Sequence, residues 1–303
     1  MQKLHRHKRK VLFPYIVVYP VLIYIMLFLI FPILYLLFLS LSSTDQFSKI
    51  SIFEGLNNYQ ILFKDKLFLK AFKQTFILTG IRVITIVPLS LLIAMGINSI
   101  KNTHLRYFYS IAYFCPVITS TAGVALIWMW IYDPSLGLAN YILSLFGIQK
   151  QSFLLNTDIA LLSIAIVSIW KDVGWYMVIF FAGLQGIPEY LYEAAEIDGV
   201  NIWSRFRYIT FPLLGPTFLL IMVVVMINSF REFTSIFIMT RSTISGEPGG
   251  PVNSTLTLTV YMFKNAFLYN KYGIGAAIAL ILLIILAIFT IIQFRLYRVK
   301  WEY

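Results

Sequence analysis

GAAIALILLIILAIFTIIQF, Gly275 to Phe294, runs for twenty residues without an acid or a base. A helix of that length, rising 1.5 Å per residue, crosses about 30 Å of hydrocarbon. Working outward from it, five more apolar runs of similar or greater length appear: Phe13 to Ser40, Phe72 to Asn98, Tyr107 to Ile131, Asp158 to Leu184 and Thr210 to Met239. The 303 residues are 59% hydrophobic and 12% charged, with a mean hydropathy of +0.81, whereas a soluble domain carries about 25% charge. The expected fold is an all-α integral membrane protein with about six transmembrane helices in the cell membrane. Lys8, Arg9 and Lys10 before the first run suggest a secretory leader. That run is too long, and no small-residue cleavage site follows, so an uncleaved anchor is expected.

Charge sets the expected direction of the spans, because loops on the cytoplasmic side carry the excess of Lys and Arg. Twelve bases fall on one side: Lys3, Arg6, Lys8, Arg9, Lys10, Lys101, Arg106, Arg205, Arg207, Arg295, Arg298 and Lys300. Eight fall on the other: Lys49, Lys64, Lys66, Lys70, Lys150, Arg241, Lys264 and Lys271. Both termini are therefore expected in the cytoplasm. The net charge of +11 is scattered among apolar runs and forms no stripe suited to nucleic acid. A single cysteine, Cys115, leaves no disulfide framework, and the three histidines, His5, His7 and His104, all sit in basic flanks. Neither a metal centre nor a nucleophile with its base is visible in the spans, which argues against an intramembrane enzyme.

Two external segments break the pattern. Leu56 to Lys70 interleaves Leu, Ile, Phe and Tyr with lysines and reads as an amphipathic helix lying in the interface. Residues 1–71, a basic arm, a span and this segment, are expected to precede a core at 72–303 that holds the other five spans and the cytoplasmic loop. SGEPGGP, Ser245 to Pro251, is a turn-rich break before Leu256 to Tyr269, which fits either an interfacial or a re-entrant helix.

The cytoplasmic loop at about residues 185–209 is the most informative. Four of the thirteen acids, Glu189, Glu193, Glu196 and Asp198, fall within ten residues. Pro188 suits a first helical position, Leu191, Ala194, Ala195 and Ile197 an apolar stripe, and Gly199 a left-handed stop. Ile202, Trp203, Phe206 and Ile209 then resume helical spacing before Pro212 and Pro216. A solvated connector is the plain alternative, but it leaves Trp203 and Phe206 without a reason to be there, and exposed apolar surface commonly marks a protein contact.

Glu193-Ala194-Ala195, three residues, Gly199, nine residues, Ile209, one residue, then Phe211-Pro212 resembles the EAA signature of the membrane subunits of binding-protein-dependent ABC importers, with Phe211 where the family has Leu. Gly55 to Tyr59 (GLNNY), Gly183 to Pro188 (GLQGIP), Gly249-Gly250-Pro251 with Thr255, Thr257 and Leu258, and Gln293-Phe294-Arg295 are similar to further segments of the sugar-type subgroup, which includes the maltose and glycerol-phosphate permeases. The resemblance implies a type I importer permease core working by alternating access. It also implies a second homologous permease, two ATPase subunits that hold ATP and Mg²⁺, an extracellular solute-binding protein and a carbohydrate cargo. In that frame the loop is a coupling helix: Glu193 is its anionic anchor, Gly199 its turn, and Ala194, Ala195, Asp198, Ile209 and Pro212 complete the element. The chain contains no G-x-x-x-x-G-K-[ST] loop and no Gly-Lys pair, so it is expected to bind no nucleotide in that manner.

Charges inside spans are costly and want a reason. Arg82, Lys171, Asp172, Arg231 and Glu232 are such charges. Aromatic rings beside hydrogen-bonding groups suit a sugar, so Trp170, Asp172, Trp175, Tyr176, Asn228, Arg231 and Glu232 are the candidates for the cargo path. Asn228 and Glu232, four apart, are expected on one helix face. Interhelical ion pairs are an equal reading, with Arg82 neutralising Asp172 or Glu232. An anionic cargo, such as glycerol phosphate or a uronate oligosaccharide, is motivated by Arg82 and Arg231. An ion-coupled secondary transporter would use the same charges and leaves the acidic loop unexplained.

Overall fold

The computed structural model describes residues 18–44, 51–241 and 246–296. The N-terminal bases, the start of the first run at Phe13, and Arg298 and Lys300 lie outside these. Among the described residues, five helices are long and apolar enough to cross a membrane, and a bent pair makes a sixth. The chain divides into two compact units, Met1–Lys64 with Met262–Ile281, and Asp65–Tyr261 with Leu282–Tyr303.

In the first unit, α1 (Val18–Ser40) has an apolar surface that is 0% buried, so its whole circumference requires lipid or another chain around it. Its π-helical turn Met26–Ile30 lies just before Pro32, which has no N–H to offer. A short ladder follows, β1 (Ser42–Thr44) antiparallel to β2 (Ser51–Phe53), with Ser42 opposite Phe53. On α2 (Asn57–Lys64), the buried Asn58 amide donates to the Ser40 and Ser42 carbonyls at 2.9 and 3.0 Å, satisfying acceptors at the C-terminal end of α1.

The second unit is built on α3 (Lys66–Asn98) packed against α7 (Ala160–Gln185). Asp65 caps α3 by accepting from the Leu67 N–H at 2.8 Å, so the spanning helix starts at Lys66, not Phe72. The amphipathic segment predicted from Leu56 to Lys70 is thus two pieces, α2 and the first turn of α3. The predicted third span is not one straight helix. Pro116 lacks a donor, Thr119 and Ser120 are extended, and α4 (Thr103–Ile118) meets α5 (Thr121–Ile131) at 95°. Beyond α5, Asp133 accepts from the Ser135 hydroxyl and the Ser135 and Leu136 N–H groups, which hold its carboxyl below the usual range. The loop continues through α6 (Leu138–Leu145).

The predicted fifth span is also interrupted: α10 (Gly215–Phe230) and α11 (Thr234–Arg241) flank a non-helical break at Arg231, Glu232 and Phe233. Over this break packs α12 (Leu258–Phe263). Leu256, Leu258 and Val260 are each 0% exposed, so the start of the Leu256 to Tyr269 segment is buried, whereas Phe267 and Leu268 further along it are exposed. The Thr259 hydroxyl donates to the Glu232 carbonyl at 2.7 Å, and the Leu258 N–H donates to Thr75 Oγ1 of α3 at 2.8 Å. The last helix is α13 (Tyr272–Leu296), whose Phe289 joins Phe76 and Phe230 in an aromatic cluster.

Candidate functional site

The loop after α7 forms two helices joined by a tight turn. α8 (Glu189–Ile197) follows Pro188, and its C-terminus closes as a Schellman motif: Val200 N–H donates to the Ala195 carbonyl at 2.9 Å and Gly199 N–H to the Glu196 carbonyl at 3.1 Å. Gly199 has φ +68°, the left-handed region that costs other residues about 1–2 kcal/mol. α9 (Ile202–Arg205) starts with Asn201 capping the Ser204 N–H. It continues through a π-helical turn, Phe206–Thr210, into Phe211 and Pro212, whose missing N–H accounts for the widening as in α1. The Tyr192 hydroxyl meets Thr210 Oγ1 at 3.0 Å and the Arg205 guanidinium lies over the Tyr192 ring, which ties the arms together.

Of the expected inward stripe, Ala195 is buried and Leu191 half-buried, but Ala194 and Ile197 face outward, Ile197 being 87% exposed. Ile197, the last residue of α8, lies two residues and about 200° of helical turn beyond Ala195, on the exposed side, and with exposed Ile202 and Trp203 it makes an apolar tip. Glu193 and Asp198 are exposed and have no ion pair among the described residues. Ile209 is half-buried at the base of the knob.

Within the bundle, a cavity of about 410 Å³ brings together Asp172, Trp175, Tyr176, Asn228, Arg231 and Glu232. Arg82 lies against it with a fully buried guanidinium that bridges both carboxylates: Nη2 to Asp172 Oδ2 at 2.6 Å and Nη1 to Glu232 Oε2 at 2.7 Å. Arg82 therefore pairs with both acids where the sequence offered one or the other, a single positive charge shared between two carboxylates. The Asn228 amide donates to the Tyr176 hydroxyl at 3.0 Å. Trp175, 46% exposed, stacks on Phe114. The helix-face argument for Asn228 and Glu232 does not survive, because Glu232 lies in the break; the two share the cavity instead.

Trp170 is elsewhere. It lines an apolar cavity of about 680 Å³ with Phe108 and Tyr113, and packs edge-on against Trp128. Sequence reasoning missed Thr121, Ser168 and Ser235 as cavity residues. Nothing in their local sequence marks them, since they depend on the 95° bend and on the break in the fifth span. Lys171, noted only as a charge, also lines the cavity, its Nζ 3.9 Å from Asp172 Oδ1.

A bundle of apolar helices around a polar cavity, with a helix-turn-helix knob between spans, defines a multi-pass membrane transport subunit. Residues 86–299 match the model of the binding-protein-dependent transport system inner membrane components, and the chain belongs to that family. It is a permease subunit of an ABC importer and not an enzyme. Among its relatives is the arabinooligosaccharides transport system permease protein AraP of Bacillus subtilis, 31% identical over 284 residues, 93% of this chain and 88% of the relative. Another is the sn-glycerol-3-phosphate transport system permease protein UgpA of Agrobacterium fabrum, 31% identical over 290 residues, 96% of each chain. The fold matches a chain of a bacterial ABC transporter involved in the import of the acidic polysaccharide alginate. The TM-score is 0.83 at 21% identity, covering 99% of this chain and 100% of that one.

Proposed function

We propose that this chain carries a carbohydrate, an oligosaccharide or sugar derivative, inward by alternating access, paired with a second homologous permease and supplied by an extracellular solute-binding protein. Its termini lie in the cytoplasm. ATP and Mg²⁺ are held by two separate ATPase subunits, which grip the knob formed by α8 and α9, so that their closure moves the spans between inward-facing and outward-facing states. Glu193 anchors the knob, Ala194, Ala195, Asp198, Ile209 and Pro212 shape it, and Gly199 sets the angle between its arms. The cavity between Trp175, Tyr176 and Asn228 is the cargo path, with Asp172, Arg231 and Glu232 on its wall and Trp170 supporting it from the neighbouring apolar cavity.

The observation that carries this reading is the knob itself. A Schellman turn presents Ile197, Ile202 and Trp203 to solvent beside Glu193 and Asp198, which have no ion pair among the described residues, and an apolar tip ringed by charge fits a protein groove with basic walls. Charge reversal in Glu193→Lys is expected to reduce co-purification of the ATPase subunit about tenfold or more while membrane insertion is unchanged. Gly199→Val, which forces a β-branched residue to φ +68°, is expected to uncouple ATP hydrolysis from uptake. Full uptake by both variants in proteoliposomes would refute the coupling assignment.

A further inference from the structure

The charges around the cavity do not balance. Arg82, Lys171 and Arg231 face Asp172 and Glu232, so one positive charge is left over. The geometry shows where the excess resides. Both terminal nitrogens of Arg82 are committed, at 2.6 and 2.7 Å, to the two carboxylates, and its side chain is 1% exposed. Arg82 is thus unavailable to a cargo. The Lys171 ammonium is 3.9 Å from the second Asp172 oxygen, a weak pairing. Arg231 is exposed at the C-terminal end of α10, in the break, and has no acidic side chain within 4.0 Å among the described residues.

We propose that the cavity selects an anionic saccharide, its carboxylate or phosphate held by the Arg231 guanidinium with Lys171 beside it, and its sugar ring against Trp175. This rests on the reading of the cavity as the cargo path and assigns the cargo its charge. A cation at membrane depth without a counter-ion is costly, and a cargo that supplies the counter-ion recovers that cost on binding. The guanidinium fork matches two oxygens of a carboxylate or phosphate, giving shorter and stronger hydrogen bonds than a sugar hydroxyl gives. A bare inorganic anion would leave most of the 410 Å³ unfilled, together with the half-exposed indole of Trp175 and the Tyr176–Asn228 pair. Those groups suit the C–H face and hydroxyls of a sugar. The anionic class had drawn on Arg82 as much as on Arg231; the structure removes Arg82 and puts Lys171 in its place.

The test uses the complete importer in neutral-lipid nanodiscs without its solute-binding protein, so that only the membrane subunits discriminate. Saturation-transfer NMR titrations compare matched pairs: trigalacturonate with galactotriose, and glucose 6-phosphate with glucose. The acidic member of at least one pair is expected to bind about tenfold tighter or more at low salt, and the preference to shrink as salt rises. A preference confined to trigalacturonate identifies a carboxylate site, and one confined to glucose 6-phosphate a phosphate site. Arg231→Gln is expected to reduce the preference to about twofold. Lys171→Gln is expected to reduce it in part, and Arg231→Lys to keep most of it while confirming assembly. Equal affinity within both pairs, or a preference undiminished in Arg231→Gln, overturns the proposal. If galactotriose binds and Trp175→Ala weakens it while charge makes no difference, only this inference falls. If none of the four sugars binds, the cargo-path reading falls with it.

Discussion

Arg82→Gln is expected to be among the most damaging single substitutions in the bundle. Among the described residues, the guanidinium is the sole strong counter-ion of Asp172 and Glu232, whose side chains are only 28% and 12% exposed. Removing it leaves two carboxylates facing each other at membrane depth, and breaking a buried pair in this way costs about 3–5 kcal/mol. The effect extends beyond charge. Glu232 sits in the break between α10 and α11, with Oε2 on Arg82 and its carbonyl on Thr259 of α12. Arg82 therefore ties α3, α7 and the break together, and its loss frees all three. In a fluorescence-detected thermal ramp of the detergent-solubilised complex, Arg82→Gln is expected to lower the midpoint by roughly 5–15 °C and to abolish uptake. The triple variant Arg82→Gln/Asp172→Asn/Glu232→Gln removes all three charges and keeps the volumes, so it is expected to recover most of the thermal stability. A wild-type midpoint in Arg82→Gln would mean that the two acids find other partners and the triad holds nothing.

The second large effect is steric. α7 crosses α4 so closely at Gly174 that an added Cβ would lie 2.0 Å from the Tyr113 carbonyl oxygen and 2.8 Å from its carbon. These are backbone atoms, so no side chain can swing aside; Gly174→Ala has to push the helices apart. Overpacking of a rigid core costs about 1–3 kcal/mol or more, and here the displaced element carries Phe114, on which Trp175 stacks. Reduced thermal stability and impaired uptake are both expected. Gly80→Ala and Gly96→Ala on α3 supply the control, because nothing lies within 4 Å of either position. Alanine is the better helix former by about 0.5–1 kcal/mol, so these two are expected to be neutral or slightly stabilising. Equal behaviour of all three alanine variants would show that the close crossing does not limit packing.

Most of the architecture was legible because hydrophobicity over twenty residues is a strong signal that tertiary context rarely reverses. The runs Gly275 to Phe294 and Asp158 to Leu184 correspond to the helices Tyr272–Leu296 and Ala160–Gln185, within two or three residues at each end. Breaks were harder. Thr119-Ser120 and Arg231 to Phe233 lie inside apolar stretches, so a hydropathy window passes over them. Pro116 was the one local sign of the first break. The second is held by long-range bonds from Arg82 and Thr259, which no local pattern records. The boundary at Asp65 was missed for a different reason: Leu56 to Lys70 read as one amphipathic helix, whereas Asp65 caps a new helix that begins at Lys66.

The knob was readable in part, since Pro188 and Gly199 each carry a backbone rule that acts within a few residues, whereas the Asn201 cap was not read. Ala194 and Ile197 were misplaced because apolar type was taken for a shared face: Ile197, still in the helix, lies about 200° of helical turn beyond buried Ala195. For the cavity, residue types identified Tyr176, Asn228 and Glu232, whereas Trp170 shows that an aromatic next to charged residues can face the other side of its helix.

The central claim is that this chain works as one half of an ATP-driven importer, and its most direct test is to purify the tagged protein in mild detergent from its native membrane and identify its stoichiometric companions by mass spectrometry. A second, different permease together with an ATPase is the result the account predicts. Recovery of the chain alone or as a homo-oligomer, with uptake driven by an ion gradient, would contradict it.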